Sequence, residues 1–105
     1  MKDNKDNRSK YKAIEYYENA LADETFDKRN WAYNNLGNIY FRQENFKSAA
    51  EHYEACFHFD DKTYYITWYN QARLALALKN YPEAIDKLNQ SIHGTELAIK
   101  NWTKS

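Results

Sequence analysis

Two side chains near the middle of the chain have the spacing of metal ligands on a helix. His52 and Cys56 are four residues apart, which places an imidazole and a thiol on the same helix face. A structural zinc site needs four ligands, and His58 points elsewhere on the helix, so this pair does not predict a metal site. With one cysteine in the chain an internal disulfide is excluded, and a buried, inert thiol is the simpler interpretation of Cys56.

Carboxylate pairs are the other residues whose chemistry needs to be considered. Asp60 and Asp61 follow a predicted helix end, where side chains are usually solvated. Glu51 and Glu54 fall on the expected outer face of the same helix. The sequence has neither a glycine-rich phosphate loop nor a nucleophile elbow. We therefore expect that the protein is not an enzyme and holds no cofactor and no metal.

The elements that position these residues are predicted to be helices. Only two glycines and one proline occur in 105 residues, whereas an all-β domain needs frequent turns. The apolar spacing predicts helices over about 10–22, 28–43, 46–57, 64–79 and 81–93, after a frayed polar segment over 1–9. Asp27 is expected to cap the second helix. Gly94 is expected to end the fifth, with a short capping helix or the start of a further repeat over 95–105.

Each helix has an apolar face that the pattern assigns to the interior. In the fourth helix the predicted inward residues are Trp68, Ala72, Ala75 and Leu78. In the fifth helix, where Pro82 occupies the first turn, they are Tyr81, Ala84, Ile85, Leu88 and Ile92.

Composition limits the classes of partner. Fifteen basic residues balance fifteen acidic ones, so no polycationic surface for nucleic acid or anionic membrane is expected. The longest aliphatic run, residues 74–78, is far shorter than the roughly 20 residues of a membrane span. The polar N-terminus lacks the apolar stretch of a secretory signal. These features predict a cytoplasmic protein.

The sequence matches itself at a spacing of 35 residues. The corresponding pairs are Tyr33 and Trp68, Gly37 and Ala72, Tyr40 and Ala75, Phe46 and Tyr81, Ala49 and Ala84, and Tyr53 and Leu88. A period near 34 residues with two helices per unit is typical of a solenoid. Glycine inside a helix costs about 1 kcal/mol relative to alanine, so Gly37 predicts a close approach between paired helices.

The motif in the first full unit identifies a family. The pattern Tyr33-x2-Leu36-Gly37-x2-Tyr40, followed by Ala49-x3-Tyr53-x2-Cys56, resembles the tetratricopeptide repeat (TPR). Tyrosine replaces the usual tryptophan, and Asp61 stands where proline often closes the unit. A looser copy follows at Trp68-x2-Gln71-Ala72-x2-Ala75 and Ala84-x3-Leu88, and Ala13-x3-Tyr17-x2-Ala20 resembles the second helix of a unit whose first helix is absent.

This resemblance implies an all-α fold, a right-handed solenoid of helical hairpins over residues 10–93. It would contain a half repeat over 10–22 and repeats over 28–61 and 64–93. In TPR arrays the first helix of each pair lines the concave surface. The implied groove residues are Trp31, Asn34, Asn35, Asn38, Phe41 and Arg42 in the second helix, and Ile66, Tyr69, Asn70, Arg73, Leu76 and Ala77 in the fourth.

Asparagine side chains in such a groove can hold peptide backbone, because an amide carries both a donor and an acceptor. Asn35 and Asn70 correspond at the 35-residue spacing, which suggests one asparagine per repeat. The alternative is composition bias, since the chain contains twelve asparagines. Arginines favour an acidic partner, and Tyr69 and Trp31 would supply apolar contact.

The sequence thus predicts a protein-interaction module that binds an extended peptide or a partner helix in the concave groove. Two alternatives stay open. The chain could be a self-assembling scaffold that forms homo-oligomers through its terminal helices, since the half unit lacks a partner and Trp102 lies 34 residues after Trp68. It could also be a regulatory domain of a larger protein.

Overall fold

The protein is all-α, and the helices form antiparallel pairs in chain order. A computed structural model describes residues 4–58 and 64–104. Five helices occur in these ranges: α1 (Asn4–Ala22), α2 (Arg29–Arg42), α3 (Phe46–Cys56), α4 (Tyr64–Ala77) and α5 (Tyr81–Lys104). Two hairpins, α2–α3 and α4–α5, contain the most extensive packing, while α1 packs on α2 and α3 packs on α4.

Both hairpins close with the same turn, 35 residues apart. In the first, Glu44 has a left-handed φ of 61°, and the next residue donates its N–H to the carbonyl of Tyr40 at 2.9 Å. In the second, Lys79 has a φ of 60°, and the next residue donates to the carbonyl of Ala75 at 2.9 Å. This geometry satisfies carbonyls at the end of each first helix without glycine. The repeat seen in the sequence is therefore also a repeat of backbone conformation.

The asparagine that follows each turn caps the second helix of its hairpin. Asn45 Oδ1 accepts the N–H of Ser48 at 3.4 Å, and Asn80 Oδ1 accepts the N–H of Glu83 at 3.4 Å. Asn80 Nδ2 also donates to Glu83 Oε2 at 2.8 Å. These caps satisfy amides that have no partner within the helix.

Two predictions at the N-terminal end are wrong. α1 begins at Asn4, so residues 4–9 are helical rather than frayed. The N-cap of α2 is Lys28, and it makes no side-chain capping hydrogen bond, so Asp27 does not cap this helix. Residues 1–3 and the predicted connection over 60–63 lie outside the described residues.

The predicted helix end at Gly94 is also wrong. α5 continues through it to Lys104, so no separate helix follows. A Cβ at Gly94 would lie 2.8 Å from Tyr65 Cβ on α4, and Ser91 Oγ donates to the Tyr65 carbonyl at 2.7 Å. Glycine is present here because α4 and α5 approach closely, rather than to terminate the helix.

The core lies between α2, α3 and α4. Its fully buried large side chains include Leu36, Tyr53 and Cys56. The buried thiol expected at Cys56 is confirmed. The close approach expected at Gly37 is confirmed too, because a Cβ there would overlap the Tyr53 ring.

α5 does not bury the apolar residues that the pattern assigned to the interior. Of the five, Ala84 is buried, whereas Tyr81, Ile85, Leu88 and Ile92 are between 41% and 60% exposed. Leu78, predicted inward on the preceding helix, is also exposed. The physical reason is that α5 packs on α4 through small residues of α5, including Ser91 and Gly94. The larger side chains of α5 lie about a quarter turn away, at the surface.

Stability should fall at alkaline pH because of Tyr53. Burial raises the pKa of Tyr53 to about 12, although Arg73 and Arg42 act to lower it. Because its folded-state pKa lies above the ordinary 10.0, the contribution to stability is complete below about pH 10 and is lost as the pH rises through 12. Urea midpoints measured from neutral to alkaline pH should decline in that window. The decline should be shallower in Tyr53→Phe, and an equal slope in the two proteins would contradict this assignment.

Candidate functional site

Two arginines of the predicted groove come from different hairpins and act on the same hydroxyl. Arg42 of α2 and Arg73 of α4 both lower the pKa of Tyr53, against the larger effect of burial. The Arg73 guanidinium lies 5.0 Å from the centre of the Phe41 ring and 6.0 Å from that of Tyr69. Among the side chains that the structure describes, neither arginine forms an ion pair with a carboxylate. We call Arg42, Arg73, Phe41 and Tyr69 the cationic cluster.

Asn38 lies beside the cationic cluster. Its Oδ1 accepts a hydrogen bond from the Tyr53 hydroxyl, which fixes the orientation of the amide. The Asn38 Nδ2 group makes no hydrogen bond with the described part of the chain, so its two donors are available.

Asn34 and Asn70 bind each other. Asn34 Oδ1 accepts from Asn70 Nδ2 at 2.9 Å and from Thr67 Oγ1 at 3.1 Å, and the Thr67 hydroxyl also lies 3.1 Å from Cys56 Sγ. Thr67 and Asn70 are both buried. This Asn34–Asn70 bridge joins α2 to α4, so the amide of Asn70 is already engaged within the protein.

Trp31 and Asn35 form a second group with α1. The Trp31 ring is edge-on to Tyr17, with centroids 5.2 Å apart, and Asn35 Nδ2 donates to the Tyr17 hydroxyl at 3.3 Å. Tyr16 packs edge-on against Tyr17 at 5.5 Å. We call Tyr16, Tyr17 and Trp31 the aromatic cluster. A shallow pocket beside it is lined by Tyr16, Phe26, Lys28, Asn30 and Trp31.

The structure therefore divides the predicted site residues into three groups. Asn38, Arg42 and Arg73 each act on the Tyr53 hydroxyl, with Tyr69 beside Arg73, whereas Asn34 and Asn70 form the bridge and Trp31 and Asn35 contact α1. Of the remaining groove positions, Ile66 and Leu76 are exposed on α4, as is Ala77. Sequence reasoning missed Thr67 and Tyr16, because neither belongs to the repeat motif. Tyr17 was assigned only to packing.

The side chains considered for metal binding have other contacts. His52 Nδ1 lies 2.7 Å from the Ser48 carbonyl, and Cys56 contacts Thr67. No group of three or more potential metal ligands occurs among the residues that the structure covers. Within the same residues, none of the helices combines the length and apolar character needed to cross a bilayer.

Comparison with known protein families identifies the first hairpin. Residues 31–61 match the family model of the tetratricopeptide repeat, a span that includes α3 and nearly all of α2. The chain carries a tetratricopeptide repeat. The resemblance read from the motif Tyr33-x2-Leu36-Gly37 is thus confirmed, and the Gly37–Tyr53 contact lies inside this TPR. No curated protein and no solved structure matches the chain.

The TPR indicates a protein–protein interaction module, since such repeats generally engage protein partners and are typically non-catalytic. The α4–α5 hairpin, which the family match does not cover, has the same turn and the same asparagine cap as the TPR. The all-α architecture is consistent with about two and a half TPR units.

Proposed function

We propose that this TPR protein binds an acidic, extended segment of a partner protein along the exposed faces of α2 and α4. The observation that carries the proposal is the cationic cluster. Arg42 and Arg73 have no carboxylate partner among the described side chains, and Tyr69 beside them is half exposed. Cations that are not neutralised within the protein favour a negatively charged ligand.

The geometry of Arg73 suits carboxylate recognition. Its contacts with the Phe41 and Tyr69 rings restrict the guanidinium before any ligand arrives. A restricted guanidinium can offer two parallel N–H donors to a carboxylate with a smaller loss of side-chain entropy. An aspartate or glutamate of the partner is the chemical group that this arrangement would take.

Backbone and apolar contacts would complete the recognition. Asn38 Nδ2 can donate to a peptide carbonyl, while Asn35, which donates to Tyr17, keeps its Oδ1 as an acceptor for a peptide N–H. Trp31 is 43% exposed and Tyr69 is 50% exposed, so both can contact apolar side chains. The Asn34–Asn70 bridge would hold α2 and α4 at a fixed separation, which reduces the cost of ordering the site on binding.

Selection from a random peptide library displayed on phage tests this function. We expect the selected peptides to be enriched in Asp and Glu, and their affinity to fall with ionic strength. Affinities would be measured by the change in tryptophan fluorescence. The double variant Arg42→Gln/Arg73→Gln should weaken binding by at least about tenfold, because each charge-assisted hydrogen bond contributes about 1.5–3 kcal/mol.

Lys47→Gln is the matched control, since Lys47 is an exposed cation on α3, away from the cationic cluster. It removes one positive charge from a position outside the cationic cluster and should leave the affinity unchanged. Selected peptides without acidic residues, or equal binding by the double variant and the wild-type chain, would count against the proposed groove. A selected peptide that binds as a helix would support the groove as the binding site but contradict the extended conformation proposed for its ligand.

A further inference from the structure

The apolar residues exposed on α5 have the spacing of a helix–helix seam. Positions 81, 85, 88, 92, 95, 99 and 102 alternate steps of four and three residues along the helix. Such a 3.5-residue period is the pattern by which two helices pack side by side over several turns. Six of the seven positions carry large apolar residues, each between 41% and 78% exposed: Tyr81, Ile85, Leu88, Ile92, Ile99 and Trp102. We call this set the α5 stripe.

The buried residues of α5 are not those of the α5 stripe. The residues of α5 that lie against α4 are small, namely Ala84, Ser91 and Gly94, and they follow a separate line along the helix. Lys87 covers part of α4 instead, with its ammonium group 4.5 Å from the centre of the Trp68 ring. α5 therefore packs on α4 through a face of small residues and carries a separate apolar face that is largely exposed.

We propose that the α5 stripe is a homodimer interface, on which the occupant is α5 of a second copy in antiparallel orientation. The length of the stripe supports this occupant. It covers 22 residues, which is about 30 Å of helix at 1.5 Å per residue. The positions are distributed almost evenly on either side of Ile92. A twofold axis there places Ile92 against itself and Ile85 against Ile99 of the second copy.

The exposed area is sufficient for a stable dimer. With each large side chain contributing roughly 100 Å², the stripe supplies about 600 Å² of apolar surface. A standard interface uses about 800 Å² per partner, and about two-thirds of it is apolar in homodimers. The stripe alone therefore provides the apolar part of such an interface.

The distribution of charge favours the antiparallel orientation. Glu83 and Asp86 belong to the first two turns of α5, where the one lysine, Lys87, lies over Trp68, and Lys100 belongs to the last turns. Antiparallel pairing brings the acidic end of one helix to the basic end of the other, whereas parallel pairing brings like charges together. The helix dipoles also oppose each other favourably in this orientation.

Sedimentation equilibrium on the complete chain tests the dimer. From micromolar to millimolar concentration, we expect the mass to rise from 12.6 kDa to twice that value. Ile85→Lys/Ile92→Lys should raise the dissociation constant by at least about 100-fold, because it places two charges at the centre of the seam. Leu97→Lys is the control, since Leu97 is 47% exposed on the opposite side of α5 and should not affect dimerisation.

Cysteine cross-linking tests the orientation. An equimolar mixture of Ile85→Cys and Ile99→Cys chains should form a disulfide between the two variants, while either variant alone should not cross-link. Native Cys56 is fully buried and does not interfere. Cross-linking of Ile85→Cys with itself would overturn the antiparallel arrangement. Two results would overturn the proposal: a helical wild-type chain that stays monomeric at every concentration, or a dimer that the double lysine variant leaves intact. Either result would instead favour another protein as the partner that covers this face.

Discussion

Tyr53→Ala should lower the free energy of unfolding by about 3–5 kcal/mol, the expected range for loss of a buried aromatic ring. The ring is 1% exposed and fills the space beside Gly37, and its hydroxyl donates to Asn38. The variant leaves a cavity between α2 and α3 and removes the donor that orients Asn38. Chemical denaturation followed by circular dichroism measures the effect.

A double-mutant cycle with Gly37 shows whether the contact itself is responsible. In the wild-type chain Gly37→Ala places a Cβ into the Tyr53 ring, and we expect a loss of about 1–3 kcal/mol. In the Tyr53→Ala background the space is open, so the same change should stabilise the helix by about 1 kcal/mol. The sign of the Gly37→Ala effect should therefore reverse between the two backgrounds.

Tyr53→Phe is the matched control for this cycle. It keeps the ring and removes only the hydroxyl, so Gly37→Ala should remain destabilising in its presence. If Gly37→Ala had the same sign with alanine and with phenylalanine at position 53, the ring would not be what requires glycine here.

Asn34→Ala should lower the free energy of unfolding by about 2–4 kcal/mol, the second largest loss expected after that of Tyr53→Ala. Its Oδ1 accepts from both Asn70 and Thr67, and both donors are buried. Removal of one acceptor leaves two buried donors without that partner. A buried donor with no acceptor lowers stability more than a donor that can bind water instead. The same denaturation measurement applies.

Asn35→Ala is the control because it changes the neighbouring residue in the same helix. Its hydrogen bond joins two residues, Asn35 and Tyr17, that are both partly exposed, so water can replace the lost partner and we expect a loss of about 0.5 kcal/mol. Similar losses in Asn34→Ala and Asn35→Ala would show that the bridge contributes no more than a surface hydrogen bond.

The helices and their pairing could be predicted from the sequence because the information is local. Apolar spacing identified five helices, and the 35-residue correspondence identified the two hairpins that the structure contains. Glu44 and Lys79 lie at predicted boundaries between helices. Their shared left-handed conformation was not predicted, since neither is a residue that favours it.

The positions that sequence reasoning placed incorrectly depend on contacts with another helix. Gly94 has the residue type of a helix end, but its role is set by Tyr65 on α4. The α5 stripe has the amphipathic period of a buried face, and periodicity alone does not tell whether an apolar face packs on the protein or is exposed.

The predicted asparagine pair illustrates the same limit within the candidate site. Asn35 and Asn70 are equivalent in the repeat, yet Asn35 contacts Tyr17 and Asn70 contacts Asn34. Their surroundings differ because different helices precede them. A double alanine variant of this pair would therefore change stability together with any binding, which makes the arginine variant the clearer test of the groove.

Packing between consecutive helices also has a consequence for how the chain folds. Most tertiary contacts join helices that are neighbours in the sequence, so native contacts close short loops. Helical proteins of low contact order fold within microseconds to milliseconds, and in repeat proteins folding can begin in any unit and spread. The Asn34–Asn70 bridge joins helices that are not consecutive, so it needs α2 and α4 to be brought together by α3. It would act late in folding, slowing unfolding more than it speeds folding.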